Sequence, residues 1–179
     1  MASILKTYTT VIDFVTGREV PNIGAEENRQ AVERYLVEQK GYDKTDITVD
    51  AGIALDIRGG VYRSQVDLVV AVDQVGVVVI KCAAGSLGSW ERQTLAAARL
   101  LSSHQIPYAV VSDGKTALLT EAVTGRQIGE GMEAIPSKTE ARRLLGSVRL
   151  QPFPEERRER ESLIFRTYDK ESVNVQRNF

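Results

Sequence analysis

The run Val77-Val78-Val79-Ile80 constrains this chain more than any other segment. Four consecutive apolar, mostly β-branched residues do not alternate between a core and water. A strand built from them is covered on both faces, as strands inside helix-flanked sheets are. Lys81 follows at once, and a glycine-containing loop, Gly85–Gly88, comes next.

The flanking patterns supply the rest of such a fold. From Ala25 to about Lys40 the residues Ala25, Arg29, Val32, Leu36 and Gln39 form one helical stripe, and Gly41 stops it. Ile47–Ile57 alternates as a strand, Gly59-Gly60 turns, Val61–Val72 returns, and Asp73–Gly76 turns again. Trp90 to about Ser102 reads as a helix, and Ile106–Ser112 as a short buried strand. Asp113-Gly114 is a turn dipeptide before a strand at Thr116–Glu121, with a further short strand at Arg126–Ile128. Ser137-Lys-Thr-Glu140 fits a capping box at the start of another helix. Residues 1–22 read as an extended strand or arm ending at Gly17-Arg18. After Pro152 comes a mixed-charge run, Glu155 to Glu161, and then Leu163, Ile164 and Phe165. Mixed-sign runs are usually solvated, so this predicts a solvent-facing helix with a short apolar anchor. The anchor either covers the sheet or joins two copies as a homodimer. The fold class is α/β (α+β), a central mixed sheet flanked by helices, with a domain over 1–150 and a charged helical or extended tail over 151–179.

Scarce residues exclude several chemistries. The 179 residues fit one domain. With one cysteine, Cys82, there is no internal disulfide and no cysteine-based zinc site. With one histidine, His104, in a helix-to-strand loop, a two-histidine metal site is excluded and a catalytic triad has weak support. A hydrolytic metal centre would have to be built from carboxylates, which suit Mg²⁺ or Mn²⁺. The net charge of −1, from 23 basic and 24 acidic residues, does not by itself announce a nucleic-acid surface. No signal-peptide pattern opens the chain, and no apolar run nears the roughly 20 residues that span a bilayer. A cytoplasmic protein with no membrane partner is expected.

Three ionisable residues stand in telling places: Glu26 in the first helical turn, Asp67 inside the second long strand, and Lys81 at the end of the apolar strand. Asp67 shares a strand face with Val69 and Ala71, and Lys81 shares one with Val79. A buried carboxylate and a lysine ending an apolar strand each need a partner. This arrangement resembles the PD-(D/E)xK nuclease superfamily, and more narrowly the N-terminal nuclease domain of type I restriction enzyme R subunits and its short stand-alone relatives. The resemblance runs over about residues 20–130. It is carried by Ala25-Glu26-Glu27-Asn28-Arg29-Gln30 with Tyr35–Tyr42, by Val66-Asp67-Leu68-Val69-Val70, by Val77–Lys81, by Gln93, and by Ala109–Gly114.

What the resemblance implies is a restriction-endonuclease-like fold and Mg- or Mn-dependent hydrolysis of a DNA phosphodiester. Asp67 would hold the metal, with Glu26 assisting as a second metal residue. Lys81 would position water and phosphate, and Gln93 would join the catalytic set. Position 79 departs from the family: it is Val where an E-x-K carboxylate is expected, and valine has no ligand atom. Ala97 likewise stands where a tyrosine follows Gln93 by four residues. Either the carboxylate has migrated, with Asp50 and then Glu91 as candidates, or catalysis and its metal have been lost. Asp73 lies about 20 Å along the strand from Asp67 at roughly 3.3 Å per residue, which is too far. The alternative function is a catalytically inactive module on the same fold that binds nucleic acid or a partner subunit. Plain structural roles also stand open. Glu26 and Glu27 suit a helix N-terminus, Asp67 suits an arginine such as Arg63 or Arg29, Lys81 can reach out to water, Gln93 suits an exposed helix face, and Cys82 suits a small buried site. No G-x-x-x-x-G-K-[ST] loop is present, so a motor or specificity function would come from a separate subunit.

Overall fold

A computed structural model describes residues 8–170; residues 1–7 of the predicted arm and 171–179 of the predicted tail lie outside the described residues. The arm is a hairpin rather than one strand, β1 (Thr10–Ile12) paired antiparallel with β2 (Glu19–Pro21). The turn between them is closed by Asp13, whose Oδ1 accepts from the Thr16 N–H and hydroxyl. That local side-chain bonding gives the chain an alternative to running straight on. Helix α1 (Glu26–Glu38) follows, and Gly41, at φ +75°, turns the chain out of it.

Strands β3 (Ile47–Ile57), β4 (Gly60–Val72) and β5 (Val75–Cys82) form an antiparallel meander. Helix α2 (Glu91–Leu100) then crosses over to β6 (Tyr108–Ser112), which pairs parallel with β5. A parallel pair needs such a crossover because a tight turn cannot reverse the chain twice. Strands β7 (Ala117–Glu121) and β8 (Gln127–Glu130) complete a six-stranded mixed sheet in the order β3-β4-β5-β6-β7-β8. Helix α3 (Lys138–Ser147) begins at the predicted capping box, with Ser137 Oγ accepting from the Glu140 N–H at 3.2 Å. Helix α4 (Glu155–Lys170) closes the described chain. None of the described helices is long and apolar enough to cross a membrane.

The sheet separates two cores, as the apolar run requires. Val77, Val78 and Ile80 are 0% exposed and Val79 is 1%. On one face Val78, Ile80 and Cys82 pack with Val32 and Leu36 of α1 and with Ala141 of α3. On the other, Val79 packs with Leu95 and Ala98 of α2 and with Phe165 of α4.

The long β3–β4 hairpin serves both cores in turn. Ile47 of β3 packs on the α1 side, whereas Ile53, Leu55 and Ile57 pack on the α2–α4 side. In β4, Leu68 and Val70 pack on the α1 side, while Val66 faces the other core. The alternation in sequence is unbroken, but the strands change faces near Asp50, which has φ +53°. Parity read from the sequence cannot register a local backbone conformation of this kind.

The turn at Asp113-Gly114 binds the sheet to α1. Gly114 has φ +84°, and a Cβ there would lie 2.9 Å from Ala31 Cβ and 3.2 Å from the Asn28 carbonyl oxygen. Gly114→Ala is therefore expected to lower unfolding stability by about 2 kcal/mol, through backbone strain together with the displaced helix. Urea denaturation followed by circular dichroism measures it, and an unchanged midpoint would contradict this packing.

Candidate functional site

The β4–β5 register pairs Leu68 with Ile80 and Val69 with Val79, which brings Asp67 beside Lys81. Lys81 Nζ lies 3.3 Å from Asp67 Oδ2, and the two side chains are 13% and 12% exposed. The same carboxylate oxygen accepts the Cys82 N–H at 2.8 Å. The Lys81 ammonium also stands 4.9 Å from the centroid of the Trp90 ring, which favours it through a cation–π attraction. Asp67 and Lys81 thus partner each other; the arginines considered from sequence lie elsewhere, Arg29 on Asp50 and Arg63 opposite Ala54. Burial pushes the Cys82 thiol well up, and the Asp67 charge adds to that, so this cysteine is an inert filler of the core.

Gln93, in the first turn of α2, lines the same pocket as Asp67, Val79 and Lys81. It is 5% exposed, not an open surface residue. Its Nε2 donates to Asp169 Oδ1 at 2.8 Å, and the Tyr62 hydroxyl donates to Asp169 Oδ2 at 2.5 Å. Burial and the Asp169 carboxylate hold the Tyr62 phenol above its usual value. Gln93 Oε1 is buried and has no hydrogen-bond partner, a loss of about 1–3 kcal/mol for a desolvated acceptor.

Asp169 belongs to α4, whose buried stripe is Glu161, Phe165 and Asp169, spaced i, i+4, i+8. Phe165 is 1% exposed and lines the pocket. At the other end of the stripe Glu161 accepts from Arg99 Nη1 at 2.9 Å in a buried ion pair. The expected apolar anchor is there, but the carboxylates flanking it are buried as well. Tyr62 and Asp169 escaped the sequence reading. Asp169 ends a helix that opens with a mixed-charge run, and only folding brings it to Gln93.

Glu26 has a different neighbourhood. It is 1% exposed, and its Oε1 accepts from Arg29 Nε at 2.9 Å and from Gln30 Nε2 at 2.9 Å. Arg29, equally buried, gathers four acidic side chains: Asp13, Glu26, Glu33 and Asp50, at 3.3, 2.8, 3.8 and 3.0 Å. Burial alone would raise Asp13, but hydrogen bonds from Thr16 and Gln30 and the Arg29 charge outweigh it and hold its carboxyl low. Glu33 goes the other way: burial, then the Asp13 charge, push it up to about 8. Exposed Glu27 accepts from Asn22 Nδ2. Glu91 opens α2, and exposed Asp73 pairs with Arg142 at 3.3 Å. His104 Nδ1 lies 3.5 Å from the Ser102 hydroxyl in the loop after α2.

A divalent ion of the Mg²⁺ type asks for several oxygen ligands at short range. The side chains do not fit one here. Position 79 supplies no oxygen, Asp67 is engaged by Lys81 and the Cys82 N–H, and Arg29 and Gln30 hold Glu26 Oε1. Among the described residues no three acidic, cysteine or histidine side chains are grouped to hold a metal.

A mixed sheet with helices on both faces, and an aspartate and a lysine side by side on its central strands, defines a restriction-endonuclease-like protein. The sequence profile described as type I restriction enzyme R protein N terminus matches residues 24–136, and the chain belongs to that family. No curated protein and no solved structure matches it.

The Arg29 cluster makes stability depend on pH. Glu33 titrates near 4.5 when unfolded and near 8 when folded, so across that window the folded chain keeps a proton that the unfolded chain has released. Stability therefore falls as pH rises from about 5 to 8, by up to ~1.4 kcal/mol per pH unit, and levels off above. Asp13, held low, has its own effect below this window. Glu33→Gln should flatten the dependence and leave the variant the more stable chain at pH 8. Urea midpoints of both chains at pH 5, 6.5 and 8 test this, and parallel profiles would contradict it.

Proposed function

We propose that this chain is a DNA-engaging domain of a type I restriction system whose hydrolytic centre is no longer assembled, so that it binds the duplex without cutting it. One observation carries the reading: Val79, where the family resemblance implies a metal carboxylate, is buried among the side chains of α2, and its neighbour Asp67 is neutralised by Lys81. Family membership supports the nucleic-acid partner. Translocation and target choice are then supplied by other subunits.

Labelled duplex DNA and a supercoiled plasmid test both halves of the reading. The native chain is expected to bind the duplex with an affinity that drops as salt rises, because phosphate contacts release counterions. It is expected not to nick the plasmid in Mn²⁺. Robust nicking that Asp67→Ala abolishes would overturn the loss of catalysis, and Asp50 and Glu91 would be the next substitutions.

Val79→Glu restores the family's residue type and adds a check on stability. A carboxylate in this apolar position without a partner is expected to cost about 3 kcal/mol or more at neutral pH. Mn²⁺ should not recover that loss if the remaining ligands are committed elsewhere. Thermal melts of the variant with and without Mn²⁺ read it out, and a large metal-dependent rise in Tm would show a centre one residue short of assembly.

A further inference from the structure

The contacts that α4 makes at the pocket are those of an anion held by two neutral donors. Each oxygen of the Asp169 carboxylate takes one hydrogen bond, Oδ1 from the Gln93 amide and Oδ2 from the Tyr62 hydroxyl. A phosphodiester also presents two anionic oxygens on one centre, and the same two donors suit it. Gln93 lines the pocket that holds Asp67 and Lys81, so an anion seated on these donors would lie beside the Lys81 ammonium's own pocket.

Other features set α4 apart from a permanent core element. Phe165 is the one apolar residue of the helix that is fully buried; Leu163 and Ile164 are partly exposed. Those two half-buried side chains also pack on the α2-side core, and the fully buried contacts that remain are polar, Glu161 on Arg99 and Asp169 on Gln93 and Tyr62. The closed arrangement also leaves Gln93 Oε1 buried without a partner. Finally, α4 lies beyond residue 136, where the family match ends.

We infer that Tyr62 and Gln93 form a phosphate-oxygen subsite for a nucleic-acid backbone, and that α4 is a strap that fills it with the chain's own Asp169 until a DNA strand displaces it. The inference rests on the DNA-binding reading and adds where the strand binds and what restrains it. Releasing the Asp169 end frees both donors together, while Glu161 still tethers the strap at Arg99.

Full-length native chain, Asp169→Ala, Glu159→Ala and the triple variant Asp169→Ala/Tyr62→Phe/Gln93→Leu are compared by fluorescence anisotropy with a labelled duplex. Hydrogen exchange of the α4 amides is followed in parallel. Asp169→Ala should tighten binding at least tenfold and speed exchange in α4. The triple variant should lose that gain, and Glu159→Ala, which removes one exposed charge from the same helix, should leave affinity within about twofold. Equal tightening by Glu159→Ala, or tightening that survives in the triple variant, overturns the subsite, since the gain is then general electrostatics. Should Asp169→Ala fail to fold, the native chain decides: saturating duplex must speed α4 exchange. Binding with unchanged α4 protection overturns the strap and leaves the DNA reading intact. Absence of binding by all variants, with α4 exchanging freely in Asp169→Ala, overturns the DNA reading and the phosphate ligand with it.

Discussion

The central strand β5 meets no water between Val77 and Ile80, so the sheet needs cover on both faces. Helix α1 supplies it on one side, and α2, the crossover to parallel β6, supplies it on the other. Lys81 is the first polar residue after the run, held where the strand reaches its end, and the antiparallel pairing with β4 puts Asp67 beside it. The site is thus a consequence of sheet geometry. A lysine and an aspartate emerge together because their strands pair there, and each neutralises the other.

Charge is handled by burial in groups. Arg29 gathers four acidic side chains at the α1–β3 junction, and one of them, Glu33, retains a proton near neutral pH because burial and Asp13 disfavour its charge. Glu26 belongs to this group. Its engagement with Arg29 and Gln30 ties it to the architecture of the α1 end. Val79 brings no polar atom to the Asp67 pocket. The polar residues of this framework are thus committed to one another, Asp67 to Lys81 and Glu26 to Arg29 and Gln30.

Helix α4 illustrates how a mixed-charge segment can be structural. Glu161, Phe165 and Asp169 share one face and reach Arg99, the α2-side core and the Gln93–Tyr62 pair respectively. The helix therefore covers the pocket side of the sheet while its other charges stay in water.

The order of helices and strands was legible in the sequence, because local signals determine it. The Ala25–Lys40 stripe, the doubly apolar Val77–Ile80, the Asp113-Gly114 turn and the Ser137–Glu140 cap each depend on near neighbours alone. The juxtaposition of Asp67 and Lys81 was also legible, through the family resemblance and strand parity. Tertiary structure decided the rest. The change of face falls near Asp50, whose positive φ alternation does not encode. The hairpin at Asp13 arose where an arm was read, since a side-chain bond to Thr16 competes with extension. Asp13 and Asp50 as partners of Arg29, and Asp169 as partner of Gln93 and Tyr62, required the burial of polar groups that are usually solvated. Such burial is stable only when distant elements bring the complementary groups, and sequence spacing carries no record of that meeting.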